Sequence, residues 1–312
     1  MDRFLILDDN ESMFFQRELE YLKPKIYEIQ FPKLKATSLI PVSTEAGPGA
    51  ESIVYQVYEE LGLAQIIASY ADDLPRADVK GKEYSSIIKT IGDSYGWNLQ
   101  EIKAAMHAGK PLQMKRAAAA RRAFDTLVDN IAWFGDQENN LAGFLTNENI
   151  PASLADTGDS GKTTWEDKTA DEILDDLNGM VQDIIDLTNE VEAPDTILLP
   201  VAQYGLISTK PRSSTSDTTI LEFFLKNSAY IDTVVPLNKL KNISPAIVGG
   251  GDSSDIAVAY QKDPDCLSLE LPMPFTQEAA QARNLELVVP CWGRIGGVII
   301  YRPLSMKILE GI

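Results

Sequence analysis

The chain has 312 residues, of which 44% are hydrophobic and 24% are charged, as in an ordinary folded protein with a sizeable core. Its 28 basic and 46 acidic residues give a formal net charge of −18, which argues against nucleic-acid binding over the whole surface, because affinity for phosphate needs a surplus of Lys and Arg. Only two cysteines occur, Cys266 and Cys291, so free thiols in a reducing cytoplasm are expected.

The first forty residues are predicted to form an arm. The sequence turns acidic after four apolar residues, and no apolar run approaches about 18 residues, so neither a signal peptide nor a membrane helix is expected. Residues 11–23 place several apolar side chains near one face, which indicates a short helix. Pro24, Pro32 and Pro41 then favour an extended course.

A long hairpin is predicted next. Residues 53–58 and 64–70 are rich in β-branched and aromatic residues, and they follow a turn signal at residues 47–49. A further strand is expected over residues 84–91.

Two helices are predicted after these strands, with a kink near Pro111. Asn98 and Glu101 have the spacing of a capping box, which marks the start of the first helix. The second helix should run over residues 112–133, because an apolar stripe recurs there with helical spacing. The stripe consists of Ala120, Phe124, Leu127, Val128 and Ile131.

The rest of the chain mixes helices and strands. A polar loop is expected over residues 146–168, and a second capping box at Thr169 and Glu172 starts a helix that should end near Thr188. The residues of its predicted apolar stripe are Ile173, Leu177, Met180, Val181, Ile184 and Leu187. A flexible tip is expected at residues 249–251, and strands at residues 257–260, 267–271, 285–289 and 298–301. Because strands and helices cluster separately, the predicted class is α+β.

Several segments, in order and at plausible distances, carry a family resemblance. The first group is Tyr55, Gly62-Leu63-Ala64, Ile66-Ile67 and Ala71-Asp72-Asp73-Leu74-Pro75. The second group is Tyr95-Gly96-Trp97, Glu101-Ile102, Ala105, Arg116-Ala117-Ala118, Arg121-Arg122-Ala123, Asn130-Ile131-Ala132-Trp133-Phe134-Gly135-Asp136 and Gly143-Phe144-Leu145-Thr146-Asn147. The third group is Ala259-Tyr260-Gln261-Lys262-Asp263-Pro264, Pro272-Met273-Pro274-Phe275, Gly296-Gly297-Val298 and Arg302-Pro303.

Over residues 30–312 these segments and the order of elements resemble the tailed-bacteriophage major capsid proteins with the Hong Kong-97 capsid fold. The resemblance implies an N-terminal arm (residues 1–40) and an E-loop hairpin (residues 41–79). It also implies a peripheral (P) domain with a long spine helix (residues 80–135 and 261–312) and an axial (A) domain (residues 136–260). Hexamers and pentamers would form around the tips of the A domains.

The predicted hairpin has apolar side chains on both faces, which two strands cannot bury by themselves. It is therefore expected to lie on a neighbouring subunit; the alternative is that it folds back on its own domain. The predicted inter-subunit contacts are Ile53, Val54, Tyr55, Val57, Tyr58, Ile66 and Ile67.

No catalytic, cofactor-binding or metal-binding residue is predicted. Residues 158–161 imitate the surroundings of a serine-protease nucleophile, but the only histidine is His107, near a helix end. Residues 160–163 imitate the end of a phosphate-binding loop, but Asp156 stands where the first glycine is required. The acidic residues over 169–192 lack the spacing of a calcium loop, so a solvated helix face is expected rather than an ion site or a docking face.

A local surplus of positive charge lies between Ile102 and Phe124, where no acidic residue occurs. Lys115, Arg121 and Arg122 are predicted either to pair with acidic residues of neighbouring subunits or to face the shell interior, where they would contact a scaffold or DNA.

The predicted function is that of a non-enzymatic major capsid protein that self-assembles into an icosahedral shell around double-stranded DNA. Separate scaffold, portal and decoration proteins are the expected partners, DNA contact is expected to be non-specific, and no membrane is expected. The expected location is the virion capsid, with assembly in the host cytoplasm. An encapsulin-type shell and, from another class, a serine hydrolase are the alternatives.

Overall fold

The structure is a computed structural model that describes residues 31–61, 78–108, 115–213, 215, 217–243 and 254–312. The predicted helix over residues 11–23, the predicted strand over residues 64–70, the kink near Pro111 and the tip at residues 249–251 lie outside these ranges. Residues 34–312 belong to one compact unit.

A ten-residue antiparallel hairpin dominates the first part of this unit. The elements in chain order are α1 (Ala36–Leu39), β1 (Val42–Ser43), β2 (Ser52–Leu61), β3 (Asp78–Ile87) and β4 (Lys89–Asn98). β2 pairs with β3 along its whole length, from Ser52 opposite Ile87 to Leu61 opposite Asp78. The described partner of β2 is therefore β3, and the hairpin ends at Ile87.

The prediction of a single strand over residues 84–91 is wrong, because these residues belong to two strands. β3 and β4 are separated only by Ile88, which is buried, and β3 pairs with β2 whereas β4 pairs with a later strand, β12 (Glu286–Ile295). The start of β3 is rich in Asp, Lys and Gly, which are rare in strands, and both its faces are exposed. It therefore lacks the alternating pattern that identifies half-buried strands.

Both helices predicted after the hairpin are present, as α2 (Leu99–Ala108) and α3 (Lys115–Phe134). In the stripe of α3, Ala120, Phe124, Val128 and Ile131 are buried. Leu127 of the predicted stripe remains 43% exposed.

Two small sheets pack beside α3. β12 pairs with β10 (Met273–Gln277), β11 (Gln281–Arg283) and, over ten residues, β4. β9 (Leu267–Glu270) pairs with β1 and with β13 (Gly297–Ile300). β9 and β13 agree with the predicted strands, whereas β12 extends well beyond the predicted residues 285–289.

A five-stranded sheet forms the other half, in the order β5 (Ala152–Leu154), β14 (Met306–Glu310), β8 (Ile256–Tyr260), β6 (Thr196–Leu199) and β7 (Thr233–Pro236). Its helices are α4 (Ala170–Thr188), α5 (Val201–Thr209) and α6 (Ile220–Asn227). The capping box of α4 is present as predicted. The predicted stripe is buried except for Leu187, which is 49% exposed.

The five-stranded sheet lies between two hydrophobic cores, because alternate side chains of a strand point to opposite faces. Leu198, Val258 and Ile308 face the core that contains Trp133 of α3, whereas Ala257 and Leu309 face the core under α4. Within the described ranges, no helix has the length and apolar character needed to cross a membrane. Both cysteines are buried free thiols, as predicted.

Candidate assembly interface

The hairpin has two different faces, which follow from its register. One side carries Ile53, Tyr55, Tyr84 and Ser86 near the base; we call it the anchored face. The other side carries Val54, Tyr58, Val79 and Ile87; we call it the open face. The alternation of strand side chains therefore separates the predicted contact residues into two groups.

The anchored face is fixed to its own subunit. The ring of Tyr55 stacks on Tyr84, with 5.3 Å between centroids, and meets Tyr301 edge-on at 5.1 Å. The Ser86 hydroxyl donates a hydrogen bond to the Gly296 carbonyl at 3.0 Å. Burial raises the pKa of Tyr55 above its ordinary value, with a smaller contribution from Tyr84. Tyr55, predicted to contact a neighbour, thus packs within its own subunit.

Ile53 belongs to the same anchor. Gly296 lies so close that a Cβ there would be 3.3 Å from the Ile53 Cδ1 atom, so the strand end and the Gly296 loop are in contact. Tyr301 and Gly296 were not predicted to receive the hairpin, since no local pattern links positions about 240 residues apart.

The open face exposes large apolar side chains. The exposed fractions are 57% for Val54, 63% for Tyr58, 57% for Val79 and 42% for Ile87. The Tyr58 ring lies over Gly81, and its hydroxyl donates to Gln56, whose amide in turn donates to Glu83, both at 2.6 Å. These bonds hold Tyr58, Gln56 and Glu83 together, so the open face combines exposed apolar side chains with polar and acidic ones.

The other three predicted contact residues are Val57, Ile66 and Ile67. Val57 is 40% exposed and lies on the side of the anchored face, towards the far end of the hairpin. Ile66 and Ile67 lie outside the described residues. Val79 and Ile87 were missed, because the strand that carries them was not recognised as the partner of β2.

A second surface feature is a groove of about 310 Å³ beside α3. Its lining includes Thr37 of α1, Arg121, Phe124 and Val128 of α3, and Pro274 and Phe275 of β10. The rings of Phe124 and Phe275 meet edge-on at 5.4 Å. Nothing in the sequence alone indicates this groove, which brings together three segments that are far apart in the chain.

The predicted basic residues of α3 do not share one face. A helix turns about 100° per residue, so Lys115 and Arg122 project from nearly the same side, whereas Arg121 lies about 100° away, at the groove. Arg121 is 3.7 Å from Asp125 and 5.9 Å from the Phe275 ring. The three residues therefore do not share one face, and an interior position of Lys115 and Arg122 stays a prediction.

Arg116, next to these residues, forms an ion pair and a hydrogen bond within its own subunit. Its guanidinium binds both carboxylate oxygens of Glu101, at 2.9 and 3.0 Å, and also donates to the Gly96 carbonyl. The pKa of Glu101 is lowered, chiefly by this hydrogen bond from Arg116. The guanidinium thus ties α3 to the start of α2.

The acidic stretch over residues 169–192 was predicted to be a solvated helix face, but two of its carboxylates are buried. Asp176 is buried and accepts hydrogen bonds from Lys168 and from the Trp165 indole, the latter at 2.8 Å. Glu192 is also buried and pairs with Arg302. Neither ion pair could be predicted from the acidic stretch alone, because Lys168 and Arg302 lie outside it. Among the described residues, no group of three or more His, Cys, Asp or Glu side chains could hold a metal ion.

The loop at residues 158–161 is part of a helix cap. The Asp159 amide donates to the carboxylate of Glu172 at 2.6 Å, and the same side chain caps α4 through Thr169. His107 lies on a different element, in the last turn of α2. The loop is thus a structural turn.

A family model described as major capsid protein matches residues 62–312, which is most of the chain. The chain belongs to the major capsid protein family. Membership of this family implies that the chain associates with itself into a shell and is located in the virion capsid. The family is structural rather than enzymatic. The serine-hydrolase alternative is therefore wrong. No curated protein matches the chain.

Solved structures agree on the fold of this capsid protein. The capsid of Myoviridae phage XM1 is similar with a TM-score of 0.80 and 18% identity, covering 97% of this chain and 100% of that chain. A chain from Mycobacterium phage Bobi gives 0.61 and 12%, covering 93% and 94%. A virus-like particle from Pyrococcus furiosus gives 0.55 and 13%, covering 88% and 91%. The predicted Hong Kong-97-type fold is confirmed, and the encapsulin alternative is not favoured.

Proposed function

We propose that this capsid protein forms hexamers and pentamers that close into an icosahedral shell around double-stranded DNA. The observation that carries the proposal is the open face of the hairpin. Four large apolar side chains, Val54, Tyr58, Val79 and Ile87, lie on that side, and their own subunit leaves them exposed. Exposed apolar side chains gathered on one face are typical of a site that another chain covers.

The parts of the subunit take the roles that the family resemblance implies. The hairpin is the E-loop, and it contacts the neighbour through Val54, Tyr58 and Val57, whereas Ile53 and Tyr55 anchor it. Because β2 pairs with β3 along its whole length, we take the E-loop, predicted over residues 41–79, to continue to Ile87, and the P domain, predicted from residue 80, to begin after it. Residues 1–40 act as the N-terminal arm, residues 88–135 and 261–312 as the P domain, and residues 136–260 as the A domain.

Other partners meet the shell at different surfaces. Lys115 and Arg122, on nearly the same side of α3, face the interior and contact a scaffold or packaged DNA through contacts that are weakened by salt. Portal and decoration proteins complete the particle, and assembly takes place in the host cytoplasm.

A truncated hairpin tests the proposal. Residues 57–82 are replaced by Asn-Gly, which joins Gln56 to Glu83, two residues that face each other in the register. Asn-Gly is the preferred two-residue hairpin turn, and the anchor made by Tyr55 and Ser86 is retained. We expect subunits with unchanged circular dichroism that no longer form shells, as measured by sedimentation and electron microscopy.

The wild-type chain, expressed in the same way, is the matched control and should give closed particles with five- and six-fold capsomers. Normal shells from the truncated variant would refute the proposed role of the hairpin. Unfolding of that variant would show that residues 57–82 belong to the core of their own subunit.

A further inference from the structure

The C-terminal end of α4 carries an exposed apolar patch. Leu187 and Val191 are 49% and 74% exposed, and Leu304, in the short 3₁₀ helix Pro303–Ser305, is 46% exposed. This 3₁₀ helix packs on α4, and ion pairs on both sides of it bind the same strand region to α4 and to the segment that follows α4. We call these three side chains the α4-end patch.

The backbone at the end of α4 turns Val191 outward. Asn189 and Glu190 both have left-handed φ values, 50° and 65°, and the Glu190 amide donates to the Ile185 carbonyl at 2.9 Å. In helix ends of this type, the residue at the position of Glu190 is often apolar and packs back on the helix. Here that position is acidic, and the apolar residue that follows it is exposed. Left-handed non-glycine residues are uncommon and cluster at binding sites.

The rim of the α4-end patch is acidic. Asp186 and Glu190 are exposed beside it, and the Asp186 carboxylate accepts a hydrogen bond from Gln182 at 2.7 Å. Residues 170–192 contain no Lys or Arg. A surface that covers this patch therefore needs apolar side chains together with positive charge.

α2 has this complementary pattern. It packs on β4, and its residues Leu99 and Met106 are 40% and 78% exposed. At about 100° per residue, these two side chains and Lys103 fall within about 60° of one another around the helix. Leu285, 67% exposed, extends this face, because its carbonyl accepts a hydrogen bond from the Leu99 amide at 2.8 Å. Glu101, the one acidic residue of α2, projects from the opposite side.

We infer that α2 of one copy of this chain docks on the α4-end patch of a second copy. Met106 packs against Val191 and Leu304, and Lys103 faces Glu190. Met106 and Val191 are the two most exposed large apolar side chains of the described residues, so this contact covers both. It joins two different surfaces of the subunit, which is the type of contact that closes into rings. The inference rests on the proposed function, since it takes copies of the chain to meet in a shell, and it adds a contact that does not involve the hairpin.

An exchange of charges tests this contact. Lys103→Glu alone, or Glu190→Lys alone, places like charges opposite each other, so the critical concentration for shell assembly should rise about tenfold. The two changes together restore the attraction and should return it to near the wild-type value. The matched control combines Lys103→Glu with Asp175→Lys, which has the same net charge but changes an exposed residue of α4 roughly three turns before the patch. We expect no restoration in this control.

A disulfide provides a second measurement in assembled shells. One chain carries Met106→Cys with Val191→Cys, and the matched control carries Ala104→Cys with Val191→Cys. Ala104 is exposed on α2 and projects about 160° away from Met106. Both natural cysteines are buried, and a disulfide needs Cα atoms within about 7 Å and side chains that point towards each other. We expect oxidised shells of the first pair to give a ladder of covalent multimers on a non-reducing gel, and control shells to stay monomeric.

Wild-type critical concentrations for both single charge variants, or restoration by the Asp175→Lys control as well, would overturn the inference. Oxidised shells of the Met106→Cys and Val191→Cys chain without a ladder would also overturn it, and each of these results leaves the proposed function intact. If the cysteine changes prevent assembly, the charge variants decide. Failure of the wild-type chain to form shells would instead overturn the proposed function, and the inference with it.

Discussion

Truncating Tyr58 to alanine is expected to raise the critical concentration for shell assembly about thirtyfold. Tyr58 is 63% exposed in the subunit, and it is the most exposed of the four apolar side chains on the open face. The proposed contact buries this remaining surface. The alanine variant loses that burial, while the subunit itself loses only an exposed side chain.

The magnitude follows from the area that remains to be covered. A tyrosine buries about 150–250 Å² when it is enclosed, so the fraction still exposed corresponds to about 95–160 Å². At about 25 cal/mol per Å² this gives about 2–4 kcal/mol, and the lower value is used because contact with a neighbour is incomplete. Each subunit makes this contact once, and about 1.4 kcal/mol corresponds to a tenfold change in equilibrium constant.

The assay is light scattering of purified subunits over a series of total concentrations, with sedimentation to separate shells from free subunits. The matched control is Tyr58→Phe, which keeps the ring over Gly81 and loses only the hydroxyl bond to Gln56. We expect the control to assemble near the wild-type concentration. Equal critical concentrations for wild type and Tyr58→Ala would refute the reasoning that the open face is covered in the shell.

Three further changes test other parts of the subunit. Asp176→Ala leaves the buried Lys168 ammonium unpaired, so urea unfolding should show a loss of about 3–5 kcal/mol; replacing both residues by apolar ones should restore most of it. Burial raises the pKa of Glu310, so its charged form destabilises the fold above that pKa; Glu310→Gln should therefore stabilise most at neutral pH, and the gain should shrink as the pH falls towards 4.5. Lys115→Gln with Arg122→Gln should leave empty shells intact but lower scaffold retention or DNA filling, measured by particle density; failure to form capsomers would instead indicate inter-subunit pairing.

Local patterns were sufficient for the elements that form a single half-buried face. α4 was predicted from its capping box at Thr169 and its apolar stripe, and both are present, because these signals lie within one segment. The start of β3 was missed, because a strand exposed on both faces has no alternation of burial. The overall fold was predicted by resemblance, since no local signal specifies how distant segments meet.

The candidate surfaces were predicted only in part. The sequence predicted the hairpin as a contact element, which stays a prediction, but only the register shows that Tyr55 and Tyr58 point to opposite sides. The groove beside α3 depends on Gly293 packing on Phe124, a contact between residues far apart in the chain. Buried partners such as Lys168 for Asp176 likewise depend on tertiary packing rather than on the acidic stretch itself.

The direct continuation of β3, in the hairpin, into β4, in the sheet, has a mechanical consequence. β3 and β4 are continuous in the backbone and separated only by Ile88, so a pull on the hairpin is transmitted directly into β4. β4 is paired with β12 over ten residues, and a load along the strand stretches these hydrogen bonds together in shear rather than opening them one at a time. If neighbouring subunits are held through their hairpins, as proposed, the tension between them is carried by all of these hydrogen bonds at once.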